Sequence, residues 1–229
     1  VLQYATDILA NSKYALNYFF CENRKDKRLK VIYNGINTTE FLFVKDRIEL
    51  NISEDAIVVG HTGRFNSAKN HHTMMQVAER IIKENNNVYF LFCGKGVPEG
   101  LKDLAIKMDI VNNVFLFDNR DDITKVLNTI DIYFFPSITE GQPNALIEAW
   151  LKGKPFVASD IEPIKDIVPV EFLCHLTHHS DITQQVVLLS KLLYSFANEQ
   201  DKYDRLAAYA TKEFEASVRF EEFLEVIKK

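Results

Sequence analysis

Residues 132–158 read IYFFPSITEGQPNALIEAWLKGKPFVA, and the reading of this stretch decides the fold. Its first four residues are apolar without interruption, as in a strand covered on both faces. A polar loop follows, then a run that is apolar around most of a helical wheel, then Gly153 and a second apolar run at 155–158. Pro143 suits the first turn of a helix and Gly153 the position just past its end, so the spacing predicts a helix over 143–152. On that helix only Asn144, Glu148 and Lys152 share a narrow polar sector. Strand, helix and strand in this order make a βαβ unit with parallel strands.

Working outward, the same alternation runs from Ile57 onward. Candidate strands lie at 57–61, 88–93, 113–117, 132–135, 155–158 and 172–175. Between them Met74, Val77, Ala78, Ile81 and Ile82 mark one helix face, and Leu101, Leu104, Ala105 and Met108 another. The expected class is α/β, a Rossmann-like parallel sheet with helices on both faces. The tail 180–229 is helical in pattern. At the other end, 8–10 reads as a short strand, 12–20 as a helix, 22–30 as a charge-rich linker and 31–36 as a strand entering a turn at Asn34 and Gly35.

Composition narrows the function classes. The 229 residues are 47% hydrophobic and 26% charged, enough for one large domain or one domain plus a fragment. A net charge of -5 disfavours broad attraction to nucleic acid or to an anionic membrane. Cys21, Cys93 and Cys174 share no CxxC spacing, so neither a disulfide framework nor a zinc ribbon is expected, and a reducing, cytoplasmic setting fits. No run reaches the roughly 18 apolar residues of a membrane span, and no signal-peptide pattern opens the chain. The first residue is Val1 and not Met, which raises the expectation of a piece of a longer protein.

Open parallel sheets bind ligands at the C-terminal ends of their strands, so the chemistry is sought there. The strand ending near His61 runs into Thr62, Gly63, Arg64, a polar loop, Lys69 and then Asn70, a candidate N-cap. Two cations beside a helix N-terminus suit a diphosphate, and Gly63 lets backbone come close. Taken alone, such a pair is more often a solvated surface pair. In the quoted stretch Glu140 lies in the loop, and Glu148 leans back toward it from the helix. Carboxylates there can accept from sugar or ribose hydroxyls, while the amides of Gly141 to Asn144 face phosphates. The plainer reading of Glu148 is an exposed ion pair with Lys152.

Gly94, in the turn Gly94-Lys95-Gly96, lacks the spacing of a dinucleotide fingerprint and reads first as a tight βα turn. Arg120 precedes Asp121 and Asp122, either of which can cap the next helix. Cys174, His175, His178, His179 and Asp181 crowd together, but nothing in their spacing provides a tetrahedral ligand set, and no metal site is expected. His61, His71 and His72 read as packing, capping or surface residues.

Three motifs in order resemble the family 4 retaining glycosyltransferases of the capsular and exopolysaccharide type: Val31-Ile32-Tyr33-Asn34-Gly35-Ile36; Gly60-His61-Thr62-Gly63-Arg64-Phe65 with Lys69-Asn70-His71; and Glu140-Gly141-Gln142-Pro143-Asn144-Ala145-Leu146-Ile147-Glu148-Ala149. The resemblance implies a GT-B fold. In it, residues 1–36 are the last βα unit of an acceptor domain plus the interdomain linker, and 37–229 are the donor domain with its C-terminal helices. It places Arg64, Lys69 and Glu140 in the catalytic group, and Gly63, Gly94, Arg120, Gly141, Gln142, Pro143, Asn144 and Glu148 in donor binding.

The resemblance further implies a nucleotide-diphosphate sugar, a UDP-sugar first of all, as the donor, with no cofactor and no metal. The acceptor is a saccharide or a lipid-linked saccharide, met by an N-terminal domain that is absent here. Membrane association of the full-length protein, at the inner face of the plasma membrane, stays open. Gln142-Pro143-Asn144 departs from the commoner Phe-Gly-Leu type of loop, and Lys95 stands where the family often has an acid. The chain alone is expected to bind donor and to transfer poorly. Competing readings are a noncatalytic nucleotide-sugar-binding or scaffold module, and a GT-B epimerase or phosphorylase.

Overall fold

Alternate residues of the apolar runs face opposite ways, and in the computed structural model, which describes residues 4–20, 25–43 and 46–228, the two sides are buried in separate cores. Tyr133 and Phe135 enter one core, and Ile132 and Phe134 the other. The small N-terminal unit comprises β1 (Ile8–Ala10), α1 (Lys13–Phe20) and β2 (Leu29–Val31), followed by α2 (Thr39–Phe43). The main alternation is β3 (Ile57–Thr62), α3 (His71–Glu84), β4 (Val88–Cys93), α4 (Val97–Lys107), β5 (Val114–Phe117), α5 (Ile123–Thr129), β6 (Ile132–Phe135), α6 (Asn144–Leu151), β7 (Phe156–Ser159), α7 (Glu162–Lys165) and β8 (Leu176–Thr177). Helices α8 (Ile182–Ser195), α9 (Gln200–Phe214) and α10 (Ala216–Ile227) close the chain.

The six strands β3 to β8 form one parallel sheet in the order β5-β4-β3-β6-β7-β8, with helices on both faces. One face carries α3, α4 and α8, through residues such as Met74, Leu101 and Leu189; the other carries α5, α6 and α9, through Val126, Trp150 and Leu206. From β3 the chain steps outward through β4 and β5, then returns to β6 on the other side of β3. The loops after β3 and β6 therefore diverge, which opens a crevice at their C-terminal ends.

Strands β1 and β2 pair in parallel, Ile8 with Leu29 and Ala10 with Val31, as a separate two-stranded sheet. Two strands alone are marginal. The segment that leaves them is pinned elsewhere: Ile36 donates to the Phe214 carbonyl at 2.7 Å, and Ala216 donates to the Ile36 carbonyl at 3.0 Å. At Gly35 a Cβ would stand 2.5 Å from Ala216 Cα, so no larger residue fits this crossing without a shift.

Two expectations change. Residues 172–175 are not a strand but part of a 3-10 helix, Val170–His175, and the edge strand is the following Leu176–Thr177. Pro169 starts the turn, and Phe172 and His175, three apart, are its buried pair, which is the 3-10 period. The strand expected at 31–36 ends at Val31, and strand β2 takes up the end of the expected linker. Cys21 and the first part of that linker lie outside the described residues, while Cys93 and Cys174 are free thiols.

Candidate functional site

The loop after β3 and the loop after β6 meet at the crevice. Lys69 Nζ donates to Glu140 Oε1 at 2.7 Å, and the two side chains are only 18% and 10% exposed. The pair joins the two candidate loops directly. A cleft of about 420 Å³ opens over it, walled by Arg64, Asn66, Lys69, Thr139, Glu140 and Gly141 on one side and by Tyr14, Ala15, Tyr18 and Phe19 of α1 on the other. Arg64 is exposed and has no ion-pair partner among the described residues. Its charge is available to an anion.

The sequence explains how the cleft is held open. Gly63 donates to the Cys93 carbonyl at 2.8 Å, and a Cβ on Gly94 would lie 2.1 Å from the Gly63 carbonyl oxygen. Gly94 is thus buried beneath the loop and supports Gly63 and Arg64 by close approach; it does not line the cleft. Asn66 caps a single 3-10 turn, Ser67–Lys69, by accepting from the Lys69 amide at 3.0 Å. Asn70 adopts φ 62° and makes no side-chain cap to α3, contrary to expectation. Its amide instead donates to the carbonyls of Pro136 and His179, at 3.0 and 2.9 Å, tying the turn to the loop after β6.

Beneath Lys69 lie His61 and His71, both buried, with ring centroids 5.2 Å apart. Burial first, then the charge of Lys69, holds the His71 ring down at about 4, and burial likewise lowers His61. Both are therefore neutral packing residues near pH 7, as the sequence suggested, and they add no charge to compete with Lys69. Behind β3, the Tyr133 hydroxyl meets Thr62 Oγ1 at 2.7 Å and braces the strand end that leads into Gly63.

Glu148 stands on α6, largely buried. Burial pushes its carboxyl up to about 7; Lys69 opposes the rise and Glu40 adds to it. Lys152 is not among the charges acting on it, so the exposed ion pair of the plainer reading is not what the fold uses. Lys69 touches Glu140 and acts electrostatically on Glu148; Lys69 and Glu140 wall the cleft, whereas Glu148 does not.

Other expectations are redirected. The Gln142 side chain turns away from the cleft and pairs with the backbone of Asn34. Pro143 occupies the cap position before α6 and has no amide hydrogen, and Asn144 donates its amide to the Gln142 carbonyl at 2.9 Å. Of the amides from Gly141 to Asn144, only those of Gly141 and Gln142 remain for a ligand. Arg120 forms a two-pronged pair with Asp122, at 2.7 and 2.8 Å, over the Phe117 ring. Asp122 spends its carboxylate there and makes no side-chain cap to α5. Arg120 lies in the loop after the outer strand β5 and does not wall the cleft.

The histidine cluster has structural uses: His175 Nδ1 meets the Phe156 carbonyl at 2.9 Å and its Nε2 meets Lys202 Nζ at 3.0 Å. Among the described residues no group of three or more His, Cys, Asp or Glu side chains is arranged to hold a metal ion. No helix among them is long and apolar enough to cross a membrane. The aromatic wall from α1 was absent from the sequence reading, although Tyr14 and Tyr18, four apart in a short helix, gave a helical-face signal.

The fold is a Rossmann-like parallel α/β sheet with cations and carboxylates gathered at its switch point, and the solved structures it superimposes on are GT-B glycosyltransferases. The chain belongs to the glycosyl transferases group 1, whose family model matches residues 43–213. It is 25% identical over 167 residues to the putative glycosyltransferase EpsF of Bacillus subtilis, covering 70% of this chain and 44% of that protein. It is 28% identical over 165 residues to the UDP-Gal:alpha-D-GlcNAc-diphosphoundecaprenol alpha-1,3-galactosyltransferase of Escherichia coli, covering 68% and 42%. Among solved structures, Anabaena Alr3699/HepE in complex with UDP and glucose superimposes with a TM-score of 0.83 at 20% identity, over 99% of this chain and 64% of that one. The chain thus spans less than half the length of these curated relatives.

Proposed function

We propose that this chain is the nucleotide-sugar-binding portion of a retaining glycosyltransferase that moves a sugar from a UDP-sugar to a saccharide or lipid-linked acceptor in cell-surface polysaccharide synthesis. The observation that carries the reading is the convergence of Arg64, Lys69, Glu140 and Gly141 on one cleft, with Lys69 paired to Glu140. Arg64 and Lys69 hold the diphosphate, and Glu148 accepts from the ribose hydroxyls. Glu140 and the Gly141 amide face the donor sugar and the phosphate nearest it. As the sugar–oxygen bond breaks, negative charge grows on the leaving diphosphate, and fixed cations stabilise that charge more than they stabilise the ground state. Two cations in a partly water-excluded cleft supply this without a metal. Departure and attack on the same sugar face follow from the family resemblance.

The E. coli relative is named for a UDP-sugar donor and HepE was solved with UDP, which favours uracil as the base. The test is calorimetric titration of the chain with UDP, GDP and ADP, with and without EDTA. Binding of UDP over the other two, unchanged by EDTA, is expected. Tight binding of none of them would favour a scaffold module, and loss of binding in EDTA would overturn metal independence. The purified chain is expected to bind donor yet transfer poorly, because the acceptor is met by residues of the longer protein; efficient transfer by these 229 residues would refute that.

A further inference from the structure

Three successive residues of the loop after β6 face three different parts of the chain, two of them through side-chain bonds. Glu140 is paired with Lys69 at 2.7 Å. Gly141 comes up against Asn11, whose Oδ1 would be 3.4 Å from a Cβ at that glycine. Gln142, only 7% exposed, takes both backbone groups of Asn34, accepting from its amide at 2.6 Å and donating to its carbonyl at 3.1 Å. The two bonds fix which end of the side-chain amide is oxygen, since an N–H and a C=O face it. No carboxylate or apolar side chain can satisfy both.

Asn34 belongs to the segment that leaves the two-stranded sheet, and just beyond it Gly35 and Ile36 are locked to Phe214 and Ala216. The loop that presents Glu140 is therefore fastened to a segment 108 residues away, not to its own strand and helix alone. We propose that Gln142 is a positioning residue: its clasp on Asn34 couples the placement of the two-stranded unit to the loop that presents Glu140, so that nucleotide binding and the stance of residues 32–36 are linked. The coupling is reciprocal, because a ligand that orders the loop must order the partner segment by the same free energy. The inference rests on the donor site proposed above.

The experiment is hydrogen exchange on the wild-type chain and on Gln142→Leu and Gln142→Glu, each with and without UDP. Asn34 is exposed at its rim, so water can satisfy its backbone once the clasp is gone, and two variants guard against one that misfolds. In the wild type, UDP is expected to slow exchange across both 137–144 and 32–36. With UDP saturating for each protein, exchange across 137–144 should still slow in each variant, while the slowing at 32–36 falls roughly fivefold or more, the scale of a lost hydrogen bond. If 32–36 is protected equally in the variants, or is never protected although 137–144 is, the clasp does not couple the two and the inference is overturned. Absence of UDP binding to the wild type would instead overturn the donor reading beneath it.

Discussion

Replacing Glu148 with Gln should stabilise the protein while disabling its site. In the folded chain the Glu148 carboxyl lies at about 7, against an ordinary 4.5, mainly because burial on α6 penalises its charged form. A raised folded value means that the protonated form contributes stability fully below 4.5, and that this contribution is lost as pH rises through 7. The interval corresponds to about 3 kcal/mol at pH 8. Glutamine has the same shape and no charge to desolvate, so Glu148→Gln should be more stable by about that amount at pH 8, with the gain tapering to nothing below pH 4.5. For a chain of this size that is a rise in melting temperature of roughly 6–12 °C. Paired thermal and urea melts from pH 4.5 to 8.5 measure it, since the difference between the two proteins cancels every other titrating group. A gain that does not change with pH, or a variant less stable at pH 8, would refute the reasoning. Nucleotide binding should fall in the same variant, because glutamine offers the ribose one acceptor in place of two; this is stability gained at the expense of a strained functional group.

Related outcomes follow from the same geometry. Lys69→Ala should weaken UDP binding roughly 10- to 100-fold by calorimetry, the scale of a charge-assisted hydrogen bond, whereas Arg64→Ala should weaken binding with melting unchanged because Arg64 is exposed and forms no ion pair with the described residues. Gly94→Ala forces the Gly63 backbone to move, so a loss of about 1–3 kcal/mol in urea melts should come with weaker UDP binding. Affinity for a UDP-sugar, whose diphosphate has no ionisation near neutrality, should rise with pH through about 7, because Glu148 offers the ribose both oxygens as acceptors only when ionised. Titrations in two buffers of different ionisation enthalpy should accordingly register proton release below pH 7.

The α/β sheet was legible because runs such as 88–93 and 132–135 are apolar on both faces, and only burial between two helical layers accounts for that. Gly153, at φ 61° past the end of α6, was legible for a local reason, and the placing of Lys69 and Glu140 on one edge of the sheet followed from their positions after β3 and β6. What sequence could not show was long-range spending of side chains. Asn70 reads as a cap because it precedes a helix, yet its amide goes to Pro136 and His179. Gln142 reads as donor-binding through its backbone amide and the family motif, and nothing local foretells that its side chain closes on Asn34. Asp122 reads as a helix cap, yet its carboxylate holds Arg120. At 172–175, aromatic and apolar residues suggested a strand, and only the three-residue spacing of the buried Phe172 and His175 marks the segment as a 3-10 turn.

The central claim is that the cleft between the loops after β3 and β6 holds a nucleotide diphosphate, and a crystal structure of the chain with UDP tests it most directly. The account predicts the diphosphate within hydrogen-bond distance of Arg64 and Lys69, the ribose hydroxyls on Glu148, and the Lys69–Glu140 pair loosened or shared with phosphate. UDP seated elsewhere, or in this cleft with its phosphates remote from both cations, would contradict it.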